Sequence, residues 1–215
     1  LLLLVSVLAG CAGNPMRQYD DELKGTVNLV NSGAVKQAIE QLEKNNTPGV
    51  MTQDKDILYY FEKGELLTLD SNYANGRDNW LKADEFVREW EDSVRTDPAK
   101  LMGNIGSFLV NDKTRRYEGQ DYEKVMLSTN LTLNHVMLGN YDLARIEMKK
   151  TYEREKLIEG FREKEYDKLQ EEAKTQNVAV DVKQMKEYPM AELDTPEVNS
   201  LKNGFQNAFA HYLAG

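Results

Sequence analysis

Few residues in this chain have the type and spacing to do chemistry, and the first is a thiol. Cys11 is the only cysteine of 215 residues, and it closes the apolar run Leu1 to Ala9 through Gly10. A lone Cys leaves no intrachain disulfide open, so packing alone must hold the fold. The two histidines, His135 and His211, lie far apart at helical packing positions. A structural or surface role suits each better than metal ligation. No His-Glu-x-x-His, Gly-rich phosphate loop or nucleophile elbow is present. Carboxylates occur at Asp20-Asp21-Glu22, at Glu163 and Glu165, and at Glu171-Glu172. The first group reads as helix N-terminal charge and the others as the wet face of a helix. A glycosidase needs two carboxylates across a scissile bond, and nothing in these spacings favours such a pair. No catalytic residue, no metal ligand and no dissociable cofactor is expected.

The apolar run constrains more. A membrane-spanning helix needs about 20 apolar residues, and this one stops after roughly half that. A short greasy stretch closed by small residues is the h-region and cleavage site of an exported precursor. No basic n-region and no initiator Met precede it, so the sequence is expected to begin inside its own signal peptide. Leu8-Ala9-Gly10-Cys11 resembles the lipobox of bacterial lipoproteins: Leu, two small residues, then Cys. That resemblance implies that residues 1–10 are a signal peptide recognised through Leu8, Ala9 and Gly10. It implies that the Cys11 thiol is alkylated by a diacylglyceryl group, that the chain is cut just before it, and that the new N-terminus is acylated. Two or more acyl chains anchor stably where one does not. Ala12, not Asp, follows the lipid-bearing Cys, and the sorting habit of enteric lipoproteins then implies the periplasmic face of the outer membrane. The alternative is an inert Cys at the edge of a truncated transmembrane helix.

What the anchor carries reads as all-α. The formal charge is −9, with 36 acidic against 27 basic side chains, which argues against nucleic acid or anionic headgroups as the main partner. Prolines number five, and strand-like alternation is scarce. Residues 11–18 form a lipidated tether. Leu23, Val27 and Val30 mark a first helix that breaks at Asn31-Ser32-Gly33, and Val35, Ala38, Ile39 and Leu42 mark a second over Ala34 to Lys44. Asn45 to Gly49 is a loop. A third helix starts near Asp54 with Leu58, Phe61, Leu66 and Leu69, and a fourth runs from Tyr73 to about Val94. Thr96-Asp97-Pro98 then offers a cap followed by Pro in the first turn.

Gly64, Tyr73, Gly76, Trp80 and Ala83, with Tyr60 and Leu67 before them, are similar to the tetratricopeptide (TPR) pattern of alternating large and small residues on paired helices. A second copy centres on Leu138-Gly139-Asn140-Tyr141, with Leu131, Thr132, Ala144, Met148 and Thr151. Gly139 lies two 34-residue periods beyond Ser71. A weaker copy holds Leu29, Gly33, Ala38 and Leu42. The stretch between the two stronger copies keeps no repeat signature and reads as a degenerate or non-repeat helical pair. The alternative is a generic helical bundle with accidental matches.

The last third differs. Leu143 to about Lys174 has no Pro and many Glu and Lys at spacings of three or four, the mark of a long exposed helix. Its thin apolar stripe is Met148, Tyr152, Ile158, Phe161 and Leu169, and it is expected to overhang the repeats. The array therefore covers 19–174, a loop covers 175–195, and 196–215 opens a further repeat, capped at Thr195-Pro196-Glu197 with Val198, Leu201, Phe205 and Tyr212 inward. The sequence is expected to stop within that repeat. The fold class is thus an all-α, TPR-like helix-hairpin array (α-solenoid) with one long charged helix.

Together these features resemble an uncharacterised family of TPR-like outer-membrane lipoproteins of Gram-negative bacteria. The carriers are the lipobox, Asn111 to Gly119, Tyr122-Glu123, Gly139 to Ala144, and Phe205 to Gly215. The resemblance implies a role in cell-envelope assembly by analogy alone. The groove of such an array is lined by first helices, here Leu58, Phe61, Glu65, Thr68 and Leu69, then Met126, Thr129, Leu133, Val136 and Met137. Phe61 and Glu65 replace the Lys and Asn that clamp a peptide carboxylate in chaperone-type arrays. An apolar, Met-containing groove suits an amphipathic helix or an extended apolar peptide. Burial of the same residues under a neighbouring helix is the alternative. Arg115, Arg116 and Tyr117 form a second candidate contact, for an acidic partner, against the reading of a solvated loop. The expected function is a non-catalytic scaffold docking a protein partner in the envelope. The rivals are a peptidoglycan-acting envelope enzyme and a structural dimer built on the long helix.

Overall fold

A computed structural model describes residues 19–46, 55–102, 117–176 and 206–215 of the chain. Every element among them is helical: α1 Tyr19–Asn31, α2 Val35–Asn45, α3 Ile57–Leu69, α4 Tyr73–Thr96, α5 Pro98–Leu101, α6 Asp121–Met137, α7 Tyr141–Gln176 and α8 Ala208–Ala214. The all-α class is what forms. Residues 1–18, Arg115, Arg116 and most of the expected 175–195 loop lie outside the described residues, as do Thr195 to Phe205.

Local sequence explains the boundaries. Asp56 caps α3, its carboxylate accepting the Tyr59 N–H at 3.0 Å. Gln120 and Glu123 form a capping box at the start of α6, with the Glu123 carboxylate accepting the Gln120 N–H at 2.6 Å. Pro98 does open a helix, but α5 lasts only four residues.

Three hairpins turn in the same way. At Gly33, Ser71 and Gly139 the backbone takes positive φ, at 78°, 61° and 75°. In each, the next residue's N–H reaches back to a carbonyl five positions earlier: Ala34 to Leu29, Asn72 to Leu67 and Asn140 to His135, all at 2.8 Å. The positive-φ residue itself bonds three back, to Val30, Thr68 and Val136. This is the Schellman closure, used three times. Five positions after each turn stands a small buried residue: Ala38, Gly76 or Ala144. Among the described residues, Ser71 is the one non-glycine at a positive φ, where an L side chain is strained. Ser71→Gly is therefore expected to raise stability by about 0.5–1 kcal/mol, read as a higher urea midpoint at constant m-value.

Sequential neighbours pack on one another: α1 on α2, α2 on α3, α3 on α4, α4 on α6, and α6 on α7, with α8 resting on α7 and α6. One core cluster joins α3, α4 and α6 through Ile57, Phe61, Trp80, Ala83, Val87, Leu127 and Leu131. Another joins α2 and α3 through Ala38, Leu42, Tyr59 and Leu66, with Leu29 and Val30 of α1 against it. Leu23 and Val27, expected on the inner stripe of α1, are instead 40% and 46% exposed, so α1 docks mainly by its C-terminal half.

α7 spans 36 residues or about 54 Å, a little beyond the Leu143 to Lys174 expected. α6 packs against it and α4 reaches it through buried side chains. One expectation about the last third needs correction. In α8, Tyr212 is not inward but 82% exposed, and Ala210 is the buried residue. Asn207 caps that helix, accepting the Phe209 N–H at 3.0 Å and the Ala210 N–H at 3.4 Å.

Candidate functional site

The residues expected to line a groove on α3 and α6 fall into three environments. Phe61 is 8% exposed and sits in the main core, its ring 5.9 Å from that of Trp80. A Cβ added to Gly119 would lie 3.2 Å from the Phe61 ring, so the segment before α6 covers Phe61 closely. Thr129 is 1% exposed, and its hydroxyl bonds to the Val125 carbonyl of its own helix at 3.3 Å. These two side chains are inside the protein.

Glu65 and Thr68 face α6. Asn130 donates to Glu65 at 3.3 Å, and Asn134 donates to the Thr68 hydroxyl at 3.0 Å. They join the two helices that were expected to form the groove floor. Leu58, Met126, Leu133 and Val136 are half-buried, whereas Leu69 and Met137 are each 50% exposed at the ends of α3 and α6. Tyr117 is half-buried against the main core, and its hydroxyl donates to Glu123.

Most of the chemistry in the structure lies where sequence reading expected solvent. Arg154 of α7 is 3% exposed and joins three helices. Its Nε donates to Glu91 of α4 at 2.6 Å and its Nη1 to Ser128 of α6 at 2.6 Å, while Nη2 donates to Asp84 of α4. The other Asp84 oxygen meets Arg88 at 3.1 Å and Lys150 at 3.4 Å, and Lys150 also reaches Glu147 at 2.8 Å. Burial alone would push the Asp84 carboxyl up. Arg154, Lys150 and Arg88 outweigh it and hold that carboxyl below the usual range. For Glu147 burial wins, and its carboxyl is raised. Among the described residues, Glu147 Oε2 and His135 Nδ1 are the buried side-chain atoms without a hydrogen-bond partner. Burial, with Arg77 and Lys150 nearby, pushes the His135 imidazole below its ordinary value.

A second ionic layer joins α6 to α7. Arg162 grips both Asp121 oxygens, Nε at 2.6 Å and Nη2 at 3.1 Å, and donates to Glu165. Glu165, expected on a wet face, is buried. Lys124 is 2% exposed, lies 4.4 Å from the Trp90 ring centre and donates to the Gly119 carbonyl. Trp90 in turn meets Phe161 edge-on at 5.7 Å.

Between α2 and α3, the Tyr59 hydroxyl donates to Glu43 at 2.6 Å and accepts from Lys55 at 2.7 Å and Lys63 at 3.0 Å. Burial pushes the Glu43 carboxyl up, but bonds from Lys63, Tyr59 and Lys55 outweigh it and lower it to about 2. A lowered carboxyl contributes stability that is full above its unfolded value and is lost as pH falls towards about 2. The Glu43 side chain is 39% exposed, so screening limits the effect. Glu43→Gln is expected to flatten the acid limb of a stability–pH profile between about pH 4.5 and 2, with a loss of no more than about 1 kcal/mol at pH 7. An unchanged acid limb would refute it.

The α6–α7 surface presents another carboxylate, Glu155, buried beneath α8. Its Oε1 accepts the Asn207 N–H at 3.2 Å, and the His211 Nε2 lies 3.2 and 3.0 Å from its two oxygens. Tyr152 meets the His211 ring edge-on at 4.9 Å, and the Asn207 amide meets the Met126 sulfur. Sequence reading did not single out Asp84, Glu91, Arg154 or Glu155. Their one signal is a helical spacing shared with the buried apolar residues of the same helices. Among the described residues, no three His, Cys, Asp or Glu side chains group as metal ligands would, and no helix is long and apolar enough to cross a membrane. Comparison with known proteins finds no matching family model, no similar curated protein and no similar solved structure.

Proposed function

We propose that this chain is a non-catalytic, lipid-anchored envelope protein whose TPR-like hairpin array docks a protein partner at the periplasmic face of the outer membrane. The observation that carries the array half of this reading is the threefold recurrence of one turn, at Gly33, Ser71 and Gly139, each followed five residues later by a small buried side chain. A helix pair closed the same way each time, packed mainly on its sequence neighbours, is the building unit of repeat scaffolds. Such scaffolds act by surface rather than by reaction. The anchor half rests on Leu8-Ala9-Gly10-Cys11 and the resemblance it carries.

With Phe61 and Thr129 inside, the apolar side chains left to meet a partner on the first-helix face are Leu58, Leu69, Met126, Leu133, Val136 and Met137, with the exposed Glu65 beside them. Membranes from cells making the full-length protein, crosslinked and pulled down under stringent washing, test the reading. One stoichiometric protein partner, lost on replacing Leu69 and Met137 with Asp, and a diacylglyceryl mass on Cys11 are the expected results. Turnover of purified cell wall, or an unmodified Cys11 thiol in the mature protein, would overturn it.

A further inference from the structure

Among the described residues, α8 packs on α7 and α6, and nearly all of its polar contacts converge on one carboxylate. Of its seven residues only Ala210 is buried, while Phe209 and Tyr212 are 46% and 82% exposed. Burying an Ala contributes far less than burying an aromatic ring, so this docking leaves Tyr212 and nearly half of Phe209 outside it. Its polar attachments are the Asn207 N–H and the His211 ring on Glu155, with Tyr152 against that ring and Met126 beneath Asn207. Among the described residues, the hydrogen-bond partners of Glu155 are Asn207 and His211. Glu155 is thus a buried carboxylate on α7 whose pairing comes from one short helix.

We infer that α8 is a displaceable latch, a self-ligand seated on a helix-docking surface formed by Met126 of α6 with Tyr152 and Glu155 of α7. The partner that replaces it is a helix offering Glu155 the same two features: a capped N-terminal turn, and a His, Lys or Arg one turn further on. The inference rests on the protein-docking reading above and names the site and the chemistry of its ligand. A charge-assisted bond to a carboxylate with no other partner among the described residues gives the surface its selectivity. The missing aromatic burial lets a partner with a larger inward side chain compete.

Two experiments test the latch without the envelope partner, so that failure here and failure of the docking reading remain distinct. Hydrogen exchange on the full chain is expected to show the α8 amides opening locally while α4 and α6 stay protected. Glu155→Gln and His211→Ala are each expected to speed α8 exchange about ten-fold without changing α4 or α6, and His211→Lys to restore slow exchange. Exchange of α8 only with global unfolding, or no response to Glu155→Gln, would overturn the inference. In the second experiment, a synthetic peptide of residues 206–215 is added to a chain ending at residue 205. Saturable binding that Glu155→Gln abolishes supports the latch. A shortened chain that keeps its helix content but ignores the peptide would sink it. So would a shortened chain that loses its helices, because a latch must be separable from the fold it closes.

Discussion

Arg154→Met is expected to cost about 3–5 kcal/mol, the largest loss for any single charged residue described here, read as a lower urea midpoint. The reason is what the substitution leaves behind. Asp84 and Glu91 have side chains 1% and 10% exposed, and both lose a guanidinium partner at once, as does the Ser128 hydroxyl. Glu91 then bears the desolvation penalty of a buried carboxylate without its cation, while Asp84 keeps only Arg88 and Lys150 on its other oxygen. The triad as a whole is a different quantity. Replacing Arg154, Asp84 and Glu91 together by Met and Leu is expected to be neutral or stabilising, because the desolvation cost of all three charges disappears with them. Arg88 and Lys150, with side chains 56% and 31% exposed, can then turn to water. Salt separates the two kinds of ion pair further. The Arg154 effect should persist at 1 M salt, since buried pairs are little screened, while exposed pairs such as Arg145–Asp142 contribute almost nothing under any condition. A loss below about 1 kcal/mol for Arg154→Met would mean that water reaches Glu91 and that Arg88 and Lys150 suffice for Asp84.

The same residues show where sequence reading fails. Along α7 the buried positions are Ala144, Glu147, Thr151, Arg154, Glu155, Ile158, Phe161, Glu165, Leu169 and Ala173, a stripe that recurs every three or four residues with Glu155 beside Arg154. Half of them are polar or charged, so a search for apolar residues finds only a thin stripe and assigns Glu165 to water. Asp84 and Glu91 meet Arg154 across 70 and 63 residues of sequence, beyond the reach of any local pairing rule. What was legible is what local chemistry decides. Gly33 and Gly139 mark turns because only glycine takes positive φ freely, and Pro98 marks a helix start because it lacks an N–H. Gly64, Gly76, Trp80 and Ala83 read as close-packed positions and are buried. Phe61 was placed on the groove by helical register, which cannot register the segment around Tyr117 and Gly119 that covers it. Glu155 was invisible for a related reason: its environment is created by α8, which arrives 52 to 56 residues later.

Trp80→Ala should remove about 3–5 kcal/mol, as the indole is 4% exposed at the junction of α3, α4 and α6. More informative is its coupling to Gly64 on the facing helix. A Cβ at Gly64 would stand 2.7 Å from Trp80 Cδ2 and Cε2, closer than packed atoms approach. The indole also packs on Phe61, ring centres 5.9 Å apart, and its Nε1 donates to Thr68 at 3.4 Å, so it has little freedom to retreat. Gly64→Ala in the wild-type background is therefore expected to cost about 1–3 kcal/mol through overpacking. With Trp80 already replaced by Ala the clash is gone, and what remains is the helix preference of Ala over Gly, worth up to about 1 kcal/mol. The same substitution should then stabilise, so its sign inverts between the two backgrounds. Gly160 supplies the control. Nothing lies within 4 Å of a Cβ built there, so Gly160→Ala should stabilise in both backgrounds alike. A double-mutant cycle over Gly64 and Trp80 with a coupling energy near zero would mean that α3 and α4 do not approach at this glycine, and the hairpin packing built on it would have to be abandoned.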